Sequence, residues 1–319
     1  MDRDRPPSLP VDQKQLVFRS LRFVDEVVIG DDPERGLNFE SEFRRVRPDI
    51  LAVTSDDRYE EAKRELCSQV GAKYVVVPKS RDWPDFSTSK LVARMRAPRK
   101  TPLRVDFAGG WLDVPALARP GAFVVNCTIQ PLTDLCDPPF RQRAGLGGSA
   151  AYRILRGEDA VLSELAAGVG WQDPAVIHET GLCVWRSGPK PRLELKINPD
   201  AMLANRLALW WTGRSHDTPS VVGQARDYDR IESAGAIAAR AVRNGCFEDL
   251  CEAVQLSYDA QRREGMGELP AFGEAARKYG GGGWGGYAIY VFDDKWARER
   301  FIAEHQQAMG VEPYLEHPG

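Results

Sequence analysis

One stretch of the sequence places glycines around a serine and then continues directly into helix-forming residues. It reads "RAGLGGSAAYRILRG", residues 143–157, with Ser149 at its centre. Glycines allow a backbone to approach a ligand closely, and a helix that begins there adds the positive end of its dipole. The residues predict a phosphate-binding loop, and they fit a flexible turn as well.

Two segments before and after this loop carry further candidates for phosphoryl chemistry. "RVDFAGGWLDV" contains Arg104, whose guanidinium could neutralise phosphate charge. "GWQDP" contains Asp173, whose carboxylate could align a hydroxyl or accept its proton. Each residue also has a structural alternative, because Arg104 could cover a strand edge and Asp173 could begin a helix.

The elements that must position these residues fall into two textures. Residues 14–95 alternate apolar runs of strand length with amphipathic helical stretches, which is typical of a parallel α/β sheet. The apolar runs are "VDEVVIG", "PDILAVT" and "AKYVVVP". After the basic, proline-bearing connector "RMRAPRKTPLR" the pattern becomes mixed α+β. We therefore predict two domains, residues 1–98 and 99–319.

Charge and composition limit the partners of the chain. The sequence has 43 Lys plus Arg against 46 Asp plus Glu, so no net field attracts nucleic acid or an anionic membrane. The first residues lack an apolar leader, and we expect a cytoplasmic protein without membrane spans. The six cysteines are scattered and predict reduced thiols, and the four histidines form no paired metal motif.

Polar residues in the first domain could form a site at the carboxyl ends of the predicted strands. Four carboxylates follow two of the apolar runs: Asp31, Asp32, Asp56 and Asp57. Three hydroxyls, Ser87, Thr88 and Ser89, stand at a predicted helix start and could hold phosphate. The carboxylates fit loop solubility or helix capping at least as well, and capping alone is the commoner reason for hydroxyls at a helix start.

The order of these segments resembles the C-terminal portion of a cytidylyltransferase-like nucleotidyltransferase. The resemblance covers about the first 95 residues and implies a Rossmann-like parallel sheet. The catalytic signature of that family is an N-terminal glycine-rich turn with a paired histidine motif, yet no histidine precedes His178. We therefore expect that this domain cannot transfer a nucleotidyl group as it stands.

The second domain resembles the GHMP sugar kinases, in particular the branch that phosphorylates heptose phosphates or fucose at the anomeric position. The resemblance spans roughly residues 101–310. It rests on five ordered segments: "RVDFAGGWLDV", "GLGGSAA", "VGWQDPAVI", "LWWTGRSH" and "GGGGWGGYAIYVF". It implies an ATP-dependent kinase that uses Mg²⁺ and acts on a sugar or a sugar phosphate.

The resemblance also implies roles for individual residues. Asp173 and Arg104 are the implied catalytic residues, and Asp113 and Trp111 are the implied substrate contacts. Ser149 is the implied Mg²⁺ ligand. The implied ATP-binding residues form two loops: Gly145, Leu146, Gly147, Gly148 and Ser149, then Gly281, Gly282 and Gly283. For Asp113, capping of a turn remains the alternative.

The chain departs from this family between the first motif and the phosphate loop. Relatives carry several dozen residues there, including a segment that holds the nucleotide base, whereas "QPLTDLCDPPFRQRA" is all that lies between Ile129 and Gly145. Three interpretations follow. The protein is a compact kinase that binds nucleotide mainly through its phosphates, a non-catalytic relative that binds a sugar phosphate or nucleotide, or a nucleotidyltransferase completed by another chain.

Overall fold

The computed structural model describes residues 10–30, 32, 36–78, 88–136, 144–215 and 224–316, without the side chains of 88–91. The chain divides into two compact units, Met1–Val92 and Ala93–Gly319. Helix α4 (Thr88–Arg96) crosses this division. Each unit has its own sheet.

Unit 1 contains a small parallel sheet of two strands. Strand β1 (Ile50–Thr54) pairs with β2 (Lys73–Val77), and helix α3 (Glu60–Val70) lies between them in the sequence. Gly71 ends α3 in the left-handed conformation with φ 82°. Within the described residues of unit 1, helices α1 (Val11–Arg19) and α2 (Glu40–Val46) precede the sheet in the sequence.

The prediction of a strand at "VDEVVIG" is wrong. Residues 24–30 form no strand, and Val28 and Ile29 are 41% and 50% exposed. An apolar run becomes a strand only when a neighbouring strand completes its backbone hydrogen bonds. Within the described part of unit 1, β1 and β2 pair with each other and leave this run without such a neighbour.

Unit 2 is built on an eight-stranded sheet, which agrees with the predicted α+β class. Its strands are β3 (Thr101–Ala108), β4 (Phe123–Thr133), β5 (Leu182–Arg186), β6 (Leu193–Ile197), β7 (Leu207–Trp211), β8 (Ala276–Tyr279), β9 (Tyr287–Val291) and β10 (Ala308–Pro313). They follow the order β6-β5-β4-β10-β7-β9-β8, and β3 pairs with β4 off this path. The pairings are antiparallel.

Helices pack against this sheet and form the main core with it. Their bounds are α5 (Gly148–Leu155), α6 (Ala160–Ala166), α7 (Gln172–Glu179), α8 (Asp200–Leu203), α9 (Tyr228–Asn244), α10 (Phe247–Arg263) and α11 (Lys295–Glu304). The helical run at "IESAG" to "DAQRR" is two helices, because Gly245 ends α9 with φ 65°. Along the described chain, we find no helix with the length and apolar character that a bilayer crossing requires.

Strand β3 brings charged side chains into this core. Val105 and Phe107 are fully buried among apolar residues, whereas Arg104 and Asp106 alternate with them and are 3% and 1% exposed. Residues two apart on a strand share one face. Arg104 and Asp106 therefore point to the same side of β3. Strand β3 also contacts helices α5 and α7.

Candidate active site

Arg104 lies at the centre of a buried charge network. Its Nε donates to Asp173 Oδ1 at 2.6 Å, and its Nη1 donates to the Gly145 carbonyl at 2.9 Å and to Asp106 Oδ1 at 3.3 Å. A guanidinium can make these contacts together because its five N–H groups form a rigid, planar fork. One side chain thus joins helix α7, the first glycine loop and strand β3.

The carboxylates around Arg104 keep its guanidinium protonated. Burial lowers the pKa of a guanidinium, but Asp173 and Asp106 outweigh burial here and hold the pKa of Arg104 above its ordinary value. The side chains of Arg104 and Asp106 are 4% and 2% exposed, whereas that of Asp173 is 19% exposed. Of these three charged groups, Asp173 is the most exposed.

Asp106 connects this network to the second glycine loop. Its Oδ2 accepts a hydrogen bond from Lys278 Nζ, and its Oδ1 accepts one from the backbone N–H of Gly281 at 2.9 Å. Lys278 is 3% exposed, so two buried cations share the carboxylates of Asp106 and Asp173. Each charge has an opposite partner, which a buried ionic network needs to be tolerated.

The two glycine loops contact each other through their backbones. The N–H of Tyr287 donates to the carbonyl of Ala144 at 2.8 Å. A Cβ at Gly145 would lie 2.9 Å from the Gly280 carbonyl oxygen, and one at Gly281 would lie 3.2 Å from the Gly145 Cα. Side chains at these positions would push the loops apart. The two predicted glycine loops therefore pack directly against each other.

Gly147 places the start of helix α5 directly against the charge network. It has φ 75°, and a Cβ there would lie 3.1 Å from Arg104 Cγ and 3.4 Å from Asp173 Oδ2. Helix α5 begins at the next residue, and Asp173 lies in the first turn of α7. Two helix N-termini therefore meet beside Arg104, and N-termini present free N–H groups and a positive dipole end.

The rest of the predicted phosphate loop supports this arrangement. The carbonyl of Leu146 accepts a hydrogen bond from the N–H of Arg104 at 2.9 Å. Gly148 is buried as the first residue of α5. Gly282 is buried in the second loop, and the Gly283 N–H donates to the Gly280 carbonyl at 3.2 Å.

Ser149 faces solvent and contacts a carboxylate that the sequence did not single out. Its hydroxyl donates to Glu164 Oε1 at 2.8 Å, and Glu164 lies on α6. Burial raises the pKa of Glu164, and the nearby negative charge of Asp173 raises it further. Within the described residues no group of three or more His, Cys, Asp or Glu could by itself hold a metal ion. A hydroxyl with one carboxylate instead fits Mg²⁺, which keeps water and phosphate ligands.

Asp113 is buried and does not meet solvent. It is 1% exposed, and its Oδ2 and Oδ1 accept from the backbone N–H and side-chain Nε2 of Gln172 at 3.1 and 3.2 Å. Burial raises its pKa to about 7, and the backbone hydrogen bond from Gln172 opposes this effect. Asp113 thereby holds the first residue of α7. Its predicted contact with the sugar stays a prediction.

Trp111 is half-buried at the edge of the same region. Its φ is 80°, and the Arg226 guanidinium lies 3.8 Å from its ring centroid. The side chain of Arg226 is fully buried and forms an ion pair with Glu264 at 3.4 Å. The cation occupies one face of the indole. The predicted sugar contact of Trp111 also stays a prediction.

The predicted carboxylates of unit 1 have partners of their own. Asp57 accepts from Lys63 Nζ at 2.7 Å and from the Tyr74 hydroxyl at 2.8 Å, and these contacts lower its pKa despite burial. Asp32 accepts from the backbone N–H of Ser41 at 2.9 Å. Asp56 accepts from the Thr54 hydroxyl at 2.7 Å. Asp31, Ser87 and the side chains of Thr88 and Ser89 lie outside the described residues.

Four residues of the site were not predicted from the sequence: Asp106, Glu164, Gln172 and Lys278. Asp106 had a usable signal, because it stands two residues from Arg104 on a predicted strand and must share its face. No local sequence signal pointed to Lys278, since its partner Asp106 is 172 residues away in the sequence. Gln172 stood in the segment "VGWQDPAVI", but both Gln172 and Glu164 resembled ordinary helix residues.

Comparison with known sequences shows similarity in a limited part of the chain. No family model matches it. It is 30% identical over 96 residues to FAD synthase of Pyrococcus horikoshii, a match of 29% of this chain and 63% of that protein. FAD synthase of Thermococcus onnurineus is 30% identical over 98 residues, with 30% and 63% covered. The chain therefore spans less than two thirds of the length of these relatives.

Comparison with solved structures shows the fold. The mevalonate kinase of Methanococcus jannaschii superposes with a TM-score of 0.50 and 13% identity, covering 69% of this chain and all of that one. The phosphomevalonate kinase of Streptococcus pneumoniae gives 0.50 and 12%, covering 67% and 98%. The α+β part of the chain therefore has the GHMP kinase fold.

Proposed function

We propose that this protein transfers the terminal phosphoryl group of ATP to a hydroxyl of a sugar or sugar phosphate, with the anomeric hydroxyl as the expected acceptor. The observation that carries the proposal is the contact among Arg104, Asp173 and Gly147. A Cβ at Gly147, just before helix α5, would lie 3.1 Å from Arg104 Cγ and 3.4 Å from Asp173 Oδ2, and the guanidinium of Arg104 binds the same carboxylate. Phosphoryl transfer needs this combination of positioned reactants and charge neutralisation.

Asp173 would act on the attacking hydroxyl. Arg104 engages Oδ1 of this carboxylate, and the partial exposure of the side chain supports access by a substrate. A carboxylate held in this way can align the hydroxyl and accept its proton as the bond to phosphorus forms. Arg104 would fix the direction of Asp173, since it is itself held by Gly145 and Asp106.

The first glycine loop would hold the phosphates of ATP. The N–H groups in the first turn of α5 have no intrahelical acceptors, and the helix dipole favours an anion there. Gly145 and Gly147 let this loop pack tightly on the second loop and on Arg104, because a side chain at either position would meet one of them. This arrangement supports nucleotide binding mainly through phosphates, which the short connection before Gly145 requires.

Ser149 and Glu164 fit a magnesium site. The serine hydroxyl and the glutamate carboxylate are 2.8 Å apart at the start of α5, and both are oxygen ligands that Mg²⁺ accepts. Mg²⁺ bound there with ATP would neutralise charge on the phosphates. The raised pKa of Glu164 supports a carboxylate that gains from a nearby cation.

The test is sugar-dependent release of ADP by the purified protein, with Mg²⁺-ATP and a panel of sugars and sugar phosphates. We expect Asp173→Asn to reduce turnover by about 100-fold or more, since it removes the proton acceptor. Asp229→Asn is the matched control, because its side chain is 89% exposed and pairs with Arg119. Full activity of Asp173→Asn would contradict the proposed mechanism.

The similarity to FAD synthases favours a second candidate, a nucleotidyltransferase that another chain completes. We expect the protein alone to form no FAD from FMN and ATP, because no histidine precedes His178. Chromatographic detection of FAD would overturn that expectation. It would leave the kinase proposal standing, since sugar-dependent ADP release is measured separately.

A further inference from the structure

The residue that precedes helix α7 cannot cap it. Trp171 stands at this position, and its indole N–H can only donate a hydrogen bond, here to the Gly188 carbonyl at 2.8 Å. The first N–H groups of a helix need acceptors, which a Ser, Thr, Asp or Asn at the N-cap normally provides. Asp294 does this for α11, where it accepts from the N–H of Ala297 at 2.9 Å. The start of α7 therefore needs an acceptor from another part of the chain.

Asp113 supplies this acceptor from 59 residues away in the sequence. Its Oδ2 accepts from the backbone N–H of Gln172, the first residue of α7, at 3.1 Å. Its Oδ1 accepts from the side-chain Nε2 of the same residue at 3.2 Å. A carboxylate at a helix N-terminus also gains from the helix dipole. With both oxygens engaged and the residue 1% exposed, Asp113 faces α7 and not a bound sugar.

The first turn of α7 has a second charged partner. Arg104 binds the carboxylate of Asp173, the residue after Gln172, with Nε at 2.6 Å from Oδ1. Arg104 thus fixes the direction of the carboxylate, whereas Asp113 fixes the backbone from which the carboxylate extends. A displacement of about 1 Å in a reacting group can cost about 100-fold in rate. Both contacts therefore bear on the group that is proposed to act on the attacking hydroxyl.

Gly170 makes room for the carboxylate of Asp113. A Cβ at Gly170 would collide with Oδ2 of Asp113. The backbone of Gly170 is outside the left-handed region, so its conformation does not by itself require glycine. A side chain at this position would push Asp113 away from the start of α7. Gly170 therefore allows the capping contact to be disturbed without changing Asp113 itself.

We infer that Asp113 is a positioning residue for phosphoryl transfer: it caps helix α7 across the fold and thereby sets the position of Asp173. The inference rests on the proposed function and extends it to a residue that does not touch the reactants. It gives Asp113 a different role from the sugar contact that the family resemblance implies. A sugar contact would change the affinity for sugar, whereas a positioning role changes the rate of the chemical step.

The first arm of the test measures capping without substrate. Hydrogen exchange of the peptide covering residues 170–180 is compared between wild type and Asp113→Ala. We expect the first-turn amides of α7 to exchange about tenfold faster in the variant, because they lose their acceptor. Asp294→Ala is the matched control, since it uncaps α11 and should leave exchange in α7 unchanged. Unchanged exchange in α7 of Asp113→Ala would overturn the inference.

The second arm measures kcat and KM for ADP release with L-fucose, D-mannose and D-mannose 6-phosphate. We expect Asp113→Ala to lower kcat about 10- to 100-fold, with KM for sugar within about twofold of wild type. Asp113→Asn should recover part of this loss, because its amide oxygen can still accept from the N–H of Gln172. Asp294→Ala should keep the wild-type kcat. A raised KM with unchanged kcat in Asp113→Ala would overturn the inference and favour a sugar contact.

The third arm displaces the carboxylate through Gly170→Ala. This variant should lower kcat as Asp113→Ala does, and the double variant should lose no more than Asp113→Ala alone, since the collision is then relieved. Gly188→Ala is the control, because the nearest atom to its Cβ would be the Lys190 carbonyl oxygen at 3.9 Å. Losses that multiply in the double variant would overturn the inference. If Asp113→Ala does not fold, Asp113→Asn and Gly170→Ala decide.

These arms separate the inference from the proposed function. ADP release by wild type with an unchanged kcat in Asp113→Ala would overturn the inference alone. Faster exchange of α7 in Asp113→Ala, without ADP release by wild type, would overturn the kinase proposal and leave the capping contact established. Unchanged exchange together with no ADP release would overturn both.

Discussion

Nε and Nη2 of Arg104 both lie 2.6 Å from Oδ1 of Asp173, which joins strand β3 to the first turn of helix α7. The two residues are 69 positions apart in the sequence. Because Nη1 of the same guanidinium holds the Gly145 carbonyl, the carboxylate and the first glycine loop have a common support. The account of the site depends on this shared contact.

Replacement of Arg104 by lysine should separate charge from geometry. Lysine keeps the charge, but its single nitrogen cannot hold Asp173, Gly145 and Asp106 together. We expect ADP release to fall about 100-fold, because Asp173 loses its orientation, and the free energy of unfolding to fall by about 1–3 kcal/mol. Urea unfolding and the ADP assay measure the two effects. Arg153→Lys, at a surface pair with Glu158, is the control. Unchanged turnover of Arg104→Lys would contradict the account.

Asp106 and Lys278 should be energetically coupled. Asp106→Asn leaves two buried cations with one carboxylate fewer, and Lys278→Met leaves Asp106 without one of its cations. Each change should lower the free energy of unfolding by about 3–5 kcal/mol. We expect the double variant to lose less than the sum of the two, by about 1–3 kcal/mol, in a cycle measured by urea unfolding. Additive losses would show that the contact carries no coupling.

Gly147→Ala should damage activity beyond its cost to the fold. Gly121 offers a matched control, because its φ is 89° and a Cβ there would meet no atom within 4 Å. Both alanine variants should lose about 1–2 kcal/mol of unfolding free energy from the left-handed backbone. Only the Cβ at Gly147 crowds Arg104 and Asp173, so only that variant should lose ADP release. Equal activity of the two variants would argue against the loop as a phosphate site.

Asp113 should make stability depend on pH. Its pKa is about 7 in the folded chain against an ordinary 3.8, so the folded state keeps a proton that the unfolded state releases between these values. The free energy of unfolding should therefore fall as pH rises through this window, by up to about 1.4 kcal/mol per pH unit. Urea unfolding across the window should show that Asp113→Asn removes this slope, whereas the exposed Asp229→Asn keeps it. An unchanged slope in Asp113→Asn would show that Asp113 does not cause the pH dependence of stability.

Glu164 should determine the requirement for magnesium. Glu164→Gln removes the carboxylate beside Ser149, and we expect half-maximal ADP release to need about tenfold more Mg²⁺. Glu158→Gln serves as the control, because Glu158 pairs with Arg153 and Arg156 outside the charge network. A magnesium titration that is the same for wild type and Glu164→Gln would remove this residue from the metal site.

The sequence was sufficient to predict the central residues of the site. Arg104, Asp173 and the two glycine loops were expected to act together, and the structure brings them into contact. A local pattern, glycines before a helix, marks the first loop, whereas Arg104, Asp173 and the second loop were singled out by the resemblance of their segments to the GHMP sugar kinases. Their assigned roles in binding and catalysis remain predictions.

Long-range partners were not accessible from local patterns. Lys278 is an ordinary charged residue in "ARKYGGGG" until the sheet brings it to Asp106. The expected strand at residues 24–30 failed for a related reason, since strand formation depends on a neighbour that a local apolar pattern does not specify. Gln172 could be recognised only from the hydrogen bonds that it makes with Asp113.

The most direct test is phosphorus NMR of wild-type protein with Mg²⁺-ATP and each sugar of the panel. The account predicts that one sugar gives a new phosphate-ester signal, coupled to the anomeric proton, that grows as the terminal phosphate signal of ATP declines. It also predicts that Asp173→Asn does not produce this signal. Decline of ATP with only inorganic phosphate formed, or no change with any sugar, would contradict the central claim.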